Sequence, residues 1–437
     1  MSVFLDWLRS ILLGSAILTA ALAAASPAQA QTGGARAPNE CATCHGGLSD
    51  AAFVAPAVAF RGGDVHQERG FTCADCHGGD PTVANKDQAK APETGYTGIP
   101  RGTDQIAVCA RCHSDAAFMR GFAPRQRVDQ ASEYAVSVHG IRLAEGDLNV
   151  ATCASCHGAH GIRTASDARS PVFPTNVAAT CASCHSSESH MAGYELPDGS
   201  PLPTTQRAEH EMSAHYEALT ERNDLSAPTC NDCHGNHGAA PPGVRSVANV
   251  CGTCHAVFAT KFETSVHSFV FEAGCVECHG NHAIVAPPPE MLGTSEDAVC
   301  SQCHGGDDDP GFLGARQMRA GRDRLRDEIA RTADLIERAR VAGMEVGDEV
   351  LALGEVRNHL VLARTEMHAF TPETVQPIID EGLSMLTEIE RAGEDALDEL
   401  RFRRRGLAVS LGAILLFVVA LALKIRQIDR RRLGAAD

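Results

Sequence analysis

Apolar residues along this chain of 437 gather at its two ends and in one periodic stretch near the second end. The long middle shows no sustained period. Near the N-terminus, a short Trp7–Arg9 segment precedes an apolar run from Ile11 to Ala25 and then Ala28-Gln29-Ala30, the small-x-small form of a signal-peptidase site. Residues 1–30 are therefore predicted to be a signal peptide, with the mature chain beginning near Gln31; an uncleaved anchor is the alternative, because Asp6 offsets Arg9. At the other end, Gly406 to Leu423 carries no charge. At about 1.5 Å per residue this run crosses most of a hydrocarbon core of about 30 Å. It predicts a transmembrane helix over 406–424 and a short tail over 425–437. A buried core helix is the bland alternative, but basic clusters at both ends, Arg401 and Arg403 to Arg405 before and Lys424, Arg426 and Arg430 to Arg432 after, suit membrane interfaces.

Between 315 and 405 apolar residues recur at helical spacing: Leu325, Ile329 and Ile336, then Val346, Val350, Leu353 and Leu360, then Ile379, Leu383 and Leu386. The pattern predicts a helical hairpin or three helices packed on the domain before them. At about 100° per residue, His368 falls on the apolar stripe of the second helix and His359 on the opposite face. Thr371-Pro372 reads as a helix start, with Pro377 blurring its position.

The middle, residues 31–314, predicts glycine- and proline-rich loops with short helices. What organises it is cysteine. All eighteen cysteines lie in nine Cys-x-x-Cys-His motifs, with no stray thiol. The cysteines are Cys41 and Cys44, Cys73 and Cys76, Cys109 and Cys112, Cys153 and Cys156, Cys181 and Cys184, Cys230 and Cys233, Cys251 and Cys254, Cys275 and Cys278, and Cys300 and Cys303. The histidines are His45, His77, His113, His157, His185, His234, His255, His279 and His304. This is the attachment signature of c-type haem: helical spacing sets both thiols beside the porphyrin vinyls and the histidine under the iron. Structural zinc, a redox dithiol or a disulfide scaffold would not require a histidine after every second cysteine. Nine haems in this span leave only about thirty residues each, too few for an apolar core around every one. The haems are expected to be the core. With the helical region and anchor, the predicted fold is mainly α with extensive loops.

After the leading motif at Cys41 to His45, a two-haem unit recurs four times. Each copy opens with a histidine, continues with a motif usually followed by Gly-x-His, and ends in a second motif. His66, His139, His215 and His267 open the copies, 7, 14, 15 and 8 residues before the next attachment cysteine. His160, His237 and His282 fill the Gly-x-His position, whereas the first copy has Asp80 there. A six-coordinate iron takes a second ligand, and eleven of the twenty histidines lie outside the motifs. A Gly-x-His histidine is only three residues from its proximal neighbour, a reach of at most about 10 Å, so it should serve a neighbouring haem. The seven repeat histidines are candidate distal ligands. For the two irons left over the candidates are His368, preferred for its place on the stripe, and His190, His210 and His359, with methionine or an open site as alternatives.

A formal charge of −17 falls mostly on the exported part, and haem propionates would add to it. That balance gives no support to nucleic-acid binding; it suits a basic patch on a partner, or simply solubility. Attachment of this haem type occurs outside the cytoplasm, so the bulk is expected on the periplasmic side of the cytoplasmic membrane, with the tail in the cytoplasm.

The unit of Ser-x-His, CxxCHGxH and a second CxxCH resembles the multihaem cytochromes c of the doubled-CxxCH, cytochrome c3-like group, over residues from about Cys41 to His304. The resemblance implies bis-histidine irons and an electron carrier between a membrane oxidoreductase, or quinol-oxidising subunit, and a periplasmic redox protein. The competing reading is an enzyme like the octahaem hydroxylamine oxidoreductases, tetrathionate reductases or pentahaem nitrite reductases, which needs an open haem. No CxxCK motif is present, and the last tyrosine is Tyr216, so neither a lysine-ligated haem of the nitrite-reductase type nor a C-terminal tyrosine cross-link is available.

Overall fold

The computed structural model describes residues 39–196, 198–241 and 247–433. The signal segment read at 1–30 lies outside them, as do the last four residues of the tail. Among the described residues the chain is helices and loops without a strand, its β-type contact being an isolated Glu195–Pro201 bridge. Packing divides the chain into two compact units, residues 1–176 and 177–437.

In both units the attachment motifs sit on short helices whose starts are written in the sequence. Thr72, Thr152 and Thr229 precede the first motifs of three copies, and each backbone N–H donates to the side chain three positions on: Asp75 at 2.6 Å, Ser155 at 3.0 Å and Asp232 at 2.8 Å. This is one arm of a capping box, and it starts a helix within a single turn. The helices Cys153–His157 and Cys230–His234 are the result. In the first two copies the second motifs instead finish longer helices, Thr103–His113 and Pro174–His185. Gly78 ends the first of the short helices, Ala74–His77, at φ 68°, and a Cβ there would lie 1.9 Å from the Gly95 carbonyl oxygen. Only glycine fits that turn.

The second unit ends in three helices: α1, Pro310–Val341; α2, Gly347–Glu366; and α3, Pro372–Leu433. Their shared core holds Leu325, Ile329 and Ile336 of α1, Leu353, Val356 and Ala363 of α2, and Val375, Ile379, Leu386 and Ile389 of α3. Two details differ from the periodic reading. Val350 is 44% exposed, and the buried stripe of α2 runs through Leu353, Val356 and Ala363 instead. His359 therefore lies not on an outer face but beside α3, its Nε2 3.5 Å from a Glu381 carboxylate oxygen. α1 also starts earlier than 315, because Asp309 caps it by accepting from Gly311 N at 2.8 Å and Pro310 takes the first helical position. Pro377 does not interrupt α3; the flanking Val375 and Ile379 are each 1% exposed, and their burial holds the second turn despite the missing N–H.

Past Leu397 the same helix leaves the bundle and continues through the uncharged run. None of that apolar stretch is buried, and it is the one helix among the described residues long and apolar enough to cross a membrane.

Candidate haem sites

Each repeat-opening histidine is the second residue after a buried N-cap position. Asp64, Ser137, Ser213 and Ser265 occupy that position and are 1%, 0%, 2% and 3% exposed. Three of them cap through the side chain: Asp64 accepts from His66 N, Ser137 from Gly140 N and Ser213 from Tyr216 N. In the last copy Ser265 donates instead to the Phe262 carbonyl, ahead of a 3-10 turn Val266–Phe269. The cap fixes where the imidazole leaves the backbone. Asp64 does more. One oxygen lies 3.2 Å from His66 Nδ1, and the other accepts from Ile162 N at 2.9 Å. Burial alone would raise the pKa of this carboxyl group, but these hydrogen bonds outweigh it and hold the pKa below the ordinary value. The anion orients His66 by its far nitrogen.

Six motif histidines face a histidine from elsewhere. His113 faces His66 at a ring separation of 6.0 Å, His77 faces His160 at 6.0 Å, and His234 faces His282 at 6.1 Å. His255 faces His215 at 6.3 Å, His304 faces His267 at 6.0 Å, and His279 faces His368 at 6.2 Å. An imidazole nitrogen binds a first-row metal at about 2 Å. With a ring radius of just over about 1 Å, one metal between two imidazoles sets the ring centres about 6 Å apart. All six separations fit an iron held between two histidines.

Orientation agrees with spacing. His77 Nδ1 lies 2.7 Å from the Gly98 carbonyl, His234 Nδ1 3.2 Å from Ala240 O, His368 Nδ1 3.1 Å from Arg364 O, and His304 Nδ1 3.1 Å from Asp309. A carbonyl or carboxylate at Nδ1 calls for the proton there and leaves Nε2 bare to bind metal. Burial also pushes His113, His160, His215, His267, His279, His282 and His368 below the ordinary imidazole pKa, which favours the neutral form a ligand needs.

The pairs follow a register. A repeat-opening histidine meets the second motif of its own copy, as in His66 with His113, His215 with His255 and His267 with His304. A Gly-x-His histidine meets the first motif of the preceding copy, as in His160 with His77 and His282 with His234. For the last copy there is no following repeat, and His368 takes that place. It does so from a 3-10 turn, Met367–Ala369, beyond the end of α2 rather than on it. Phe370 follows in the left-handed region at φ 55°, its ring 4.2 Å from that of His267 and 6.5 Å from that of His368, and so touches members of both last pairs. Lys261 ties the same corner by an ion pair to Glu366 at 2.8 Å.

Other candidates go elsewhere. His210 lies edge-on to Tyr216 with its Nε2 3.5 Å from Pro228 O, and His359 sits beside Glu381. His190 lies close enough to His185 for the two to interact electrostatically. His139 and His237 hold the repeat positions of paired histidines. The sequence did not reveal Asp64 and Asp309, which orient His66 and His304; the first copy's Asp-x-His in place of Ser-x-His was the available signal.

The thiols run in chain order within each unit. Cys109 shares a hydrogen bond with Cys153, Cys181 with Cys230 and Cys251 with Cys275, each joining the second motif of one copy to the first of the next. Cys41 with Cys73, Cys76 with Cys112, Cys233 with Cys254 and Cys278 with Cys300 are close enough to interact electrostatically. Among the described residues no three His, Cys, Asp or Glu converge into a closed site of the kind structural zinc uses.

The family described as cytochrome c3 matches residues 65–186, a span holding two whole copies and four motifs. The family described as the doubled CXXCH motif matches residues 267–309, which opens on His267. No curated protein and no solved structure matches the chain. Motifs, paired imidazoles and two family matches, over residues 65–186 and 267–309, together support a multihaem cytochrome of the c type.

Proposed function

We propose that this is a membrane-anchored nonahaem cytochrome that relays electrons between a membrane oxidoreductase, or a quinol-oxidising subunit, and a periplasmic redox protein. When bound, haem iron supplies one-electron chemistry whose potential its axial ligands tune. The observation that carries the reading is the set of six imidazole pairs at 6.0 to 6.3 Å. Two histidines holding one iron would permit electron exchange and leave no position for a substrate to bind the metal. We assign His66, His160, His215, His267, His282 and His368 as distal ligands on this geometry, and His139 and His237 on their repeat positions.

The order of thiols supports passage along the chain within each unit, and the signal segment and the uncharged part of α3 support an exported, tethered protein. The tail from 425 onward then lies in the cytoplasm. A relay of this kind is tested on the purified full-length protein. Mass spectrometry should find nine attached haems, and electron paramagnetic resonance with a redox titration should find low-spin irons that reduce reversibly. Fewer haems, or several high-spin irons, would exclude the relay. The second reading, a multihaem oxidoreductase acting on a nitrogen or sulfur compound, is favoured by one observation only: the aspartate at position 80.

A further inference from the structure

With His139 and His237 assigned by repeat position, the register leaves one motif without a histidine opposite it. In both places where a Gly-x-His histidine is seen beside its partner, it faces the first motif of the copy before its own: His160 against His77 at 6.0 Å and His282 against His234 at 6.1 Å. Carried one step towards the N-terminus, the rule directs the residue three after His77 to the leading motif, Cys41 to His45. That residue is Asp80.

The loop is in place for the role. Glu40 N, at the start of the helix Glu40–Gly46, donates to the Pro81 carbonyl at 2.8 Å, and Asp80 is close enough to Cys41 to act on its thiol. The side chain, though, is committed elsewhere: one carboxylate oxygen accepts from Thr82 N at 2.9 Å and from Thr82 Oγ1 at 2.6 Å. It is also shorter than an imidazole. His45 itself is set up like the other motif histidines, bonded to the Phe53 backbone with its ring 5.7 Å from the Phe53 ring.

Among the described residues of its own unit no other histidine is available. Residues 39–176 contain seven: His45, His77, His113 and His157 inside motifs, His66 and His160 in pairs, and His139 at the repeat position of His66. What the same loop brings up instead is a cation, since Asp80 N donates to the Ala89 carbonyl at 2.9 Å, next to Lys90. Lys90 is exposed, its Nζ 5.4 Å from the Tyr96 ring centre, and its charge reaches both His45 and Cys41.

We propose that the iron attached at Cys41–His45 is held by His45 alone, because Asp80 replaces the repeat histidine, and that its far face takes a small anion beside Lys90. This rests on the reading of Cys41–His45 as a haem attachment. It goes beyond the relay by marking the N-terminal haem as the point where an exogenous ligand enters.

The test is electron paramagnetic resonance and absorbance on the ferric full-length holoprotein, with cyanide as the probe. One high-spin iron in nine, converted to low spin by cyanide, is expected. Asp80→His should abolish both the high-spin signal and the cyanide response while the mass still shows nine haems. Lys90→Ala should keep the high-spin signal and weaken cyanide binding, by about threefold or more. Nine low-spin irons indifferent to cyanide would overturn the proposal, and so would a low-spin leading haem that turns high-spin in Lys90→Ala, since lysine would then be the ligand. Either failure leaves the nine-haem relay intact, whereas a haem count below nine strikes the relay instead.

Discussion

At the scale of single residues, the ligand shell depends on groups one contact away from it. Asp64 shows how. Its carboxylate holds His66 at Nδ1 and places negative charge behind the imidazole that faces His113. Replacing it by Asn keeps the shape and removes the charge, so Asp64→Asn should raise the reduction potential of that one iron in a redox titration while its low-spin signal persists. His368 and His359, nine residues apart, provide a contrast. His368→Ala should turn one iron from low to high spin, because His279 loses the ring 6.2 Å away. His359→Ala should leave every spectrum unchanged and lower stability by less than about 1 kcal/mol, the range of a solvent-accessible polar contact such as that with Glu381. The motif residues were legible because attachment chemistry is local, five consecutive positions. Asp64 and Asp309 were not, since what makes them matter is a contact made after folding.

At the scale of elements, caps and apolar stripes do different work. Ser213 is 2% exposed and accepts from Tyr216 N at 3.1 Å, which sets His215 at the second position of its helix. Ser213→Ala should cost about 1 kcal/mol in chemical denaturation and broaden the low-spin signal of the His255 iron. Leu325, fully buried at the centre of the bundle, should cost about 3 kcal/mol when cut to alanine. Because the bundle presents His368, Leu325→Ala should also loosen the His279 iron, read as partial conversion to high spin. Three helices were readable from periodicity, since burial on one face imposes a period of 3.6. Their details were not: Val350 turned outward and His359 inward, because the stripe is set by where α1 and α3 actually press. His368 fell in a turn past the helix end, where a wheel of 100° steps no longer applies.

At the scale of the whole molecule, one continuous helix joins the bundle to the apolar run. A chain stopped after Arg405 should keep nine haems and leave the membrane fraction for the soluble one on ultracentrifugation; persistence in the membrane would place the anchor elsewhere. The acidic balance of −17 predicts that electron exchange with a basic partner slows as salt rises through about 0.1 M, where screening reaches about 10 Å. A rate indifferent to salt would make the charge a matter of solubility alone.

The sequence by itself determined the cofactor chemistry, the one-plus-four arrangement of motifs, the mainly helical class and the apolar terminal helix. Each rests on short-range spacing or period, which a chain carries before it folds. The tertiary structure decided which imidazole meets which. No spacing could say that an opening histidine serves its own copy while a Gly-x-His histidine serves the copy before, because that register is made by packing between copies. It also decided that His368 stands in for an absent fifth repeat. The same register makes Asp80, in sequence only a departure from a pattern, the position proposed to leave the leading motif without a second histidine.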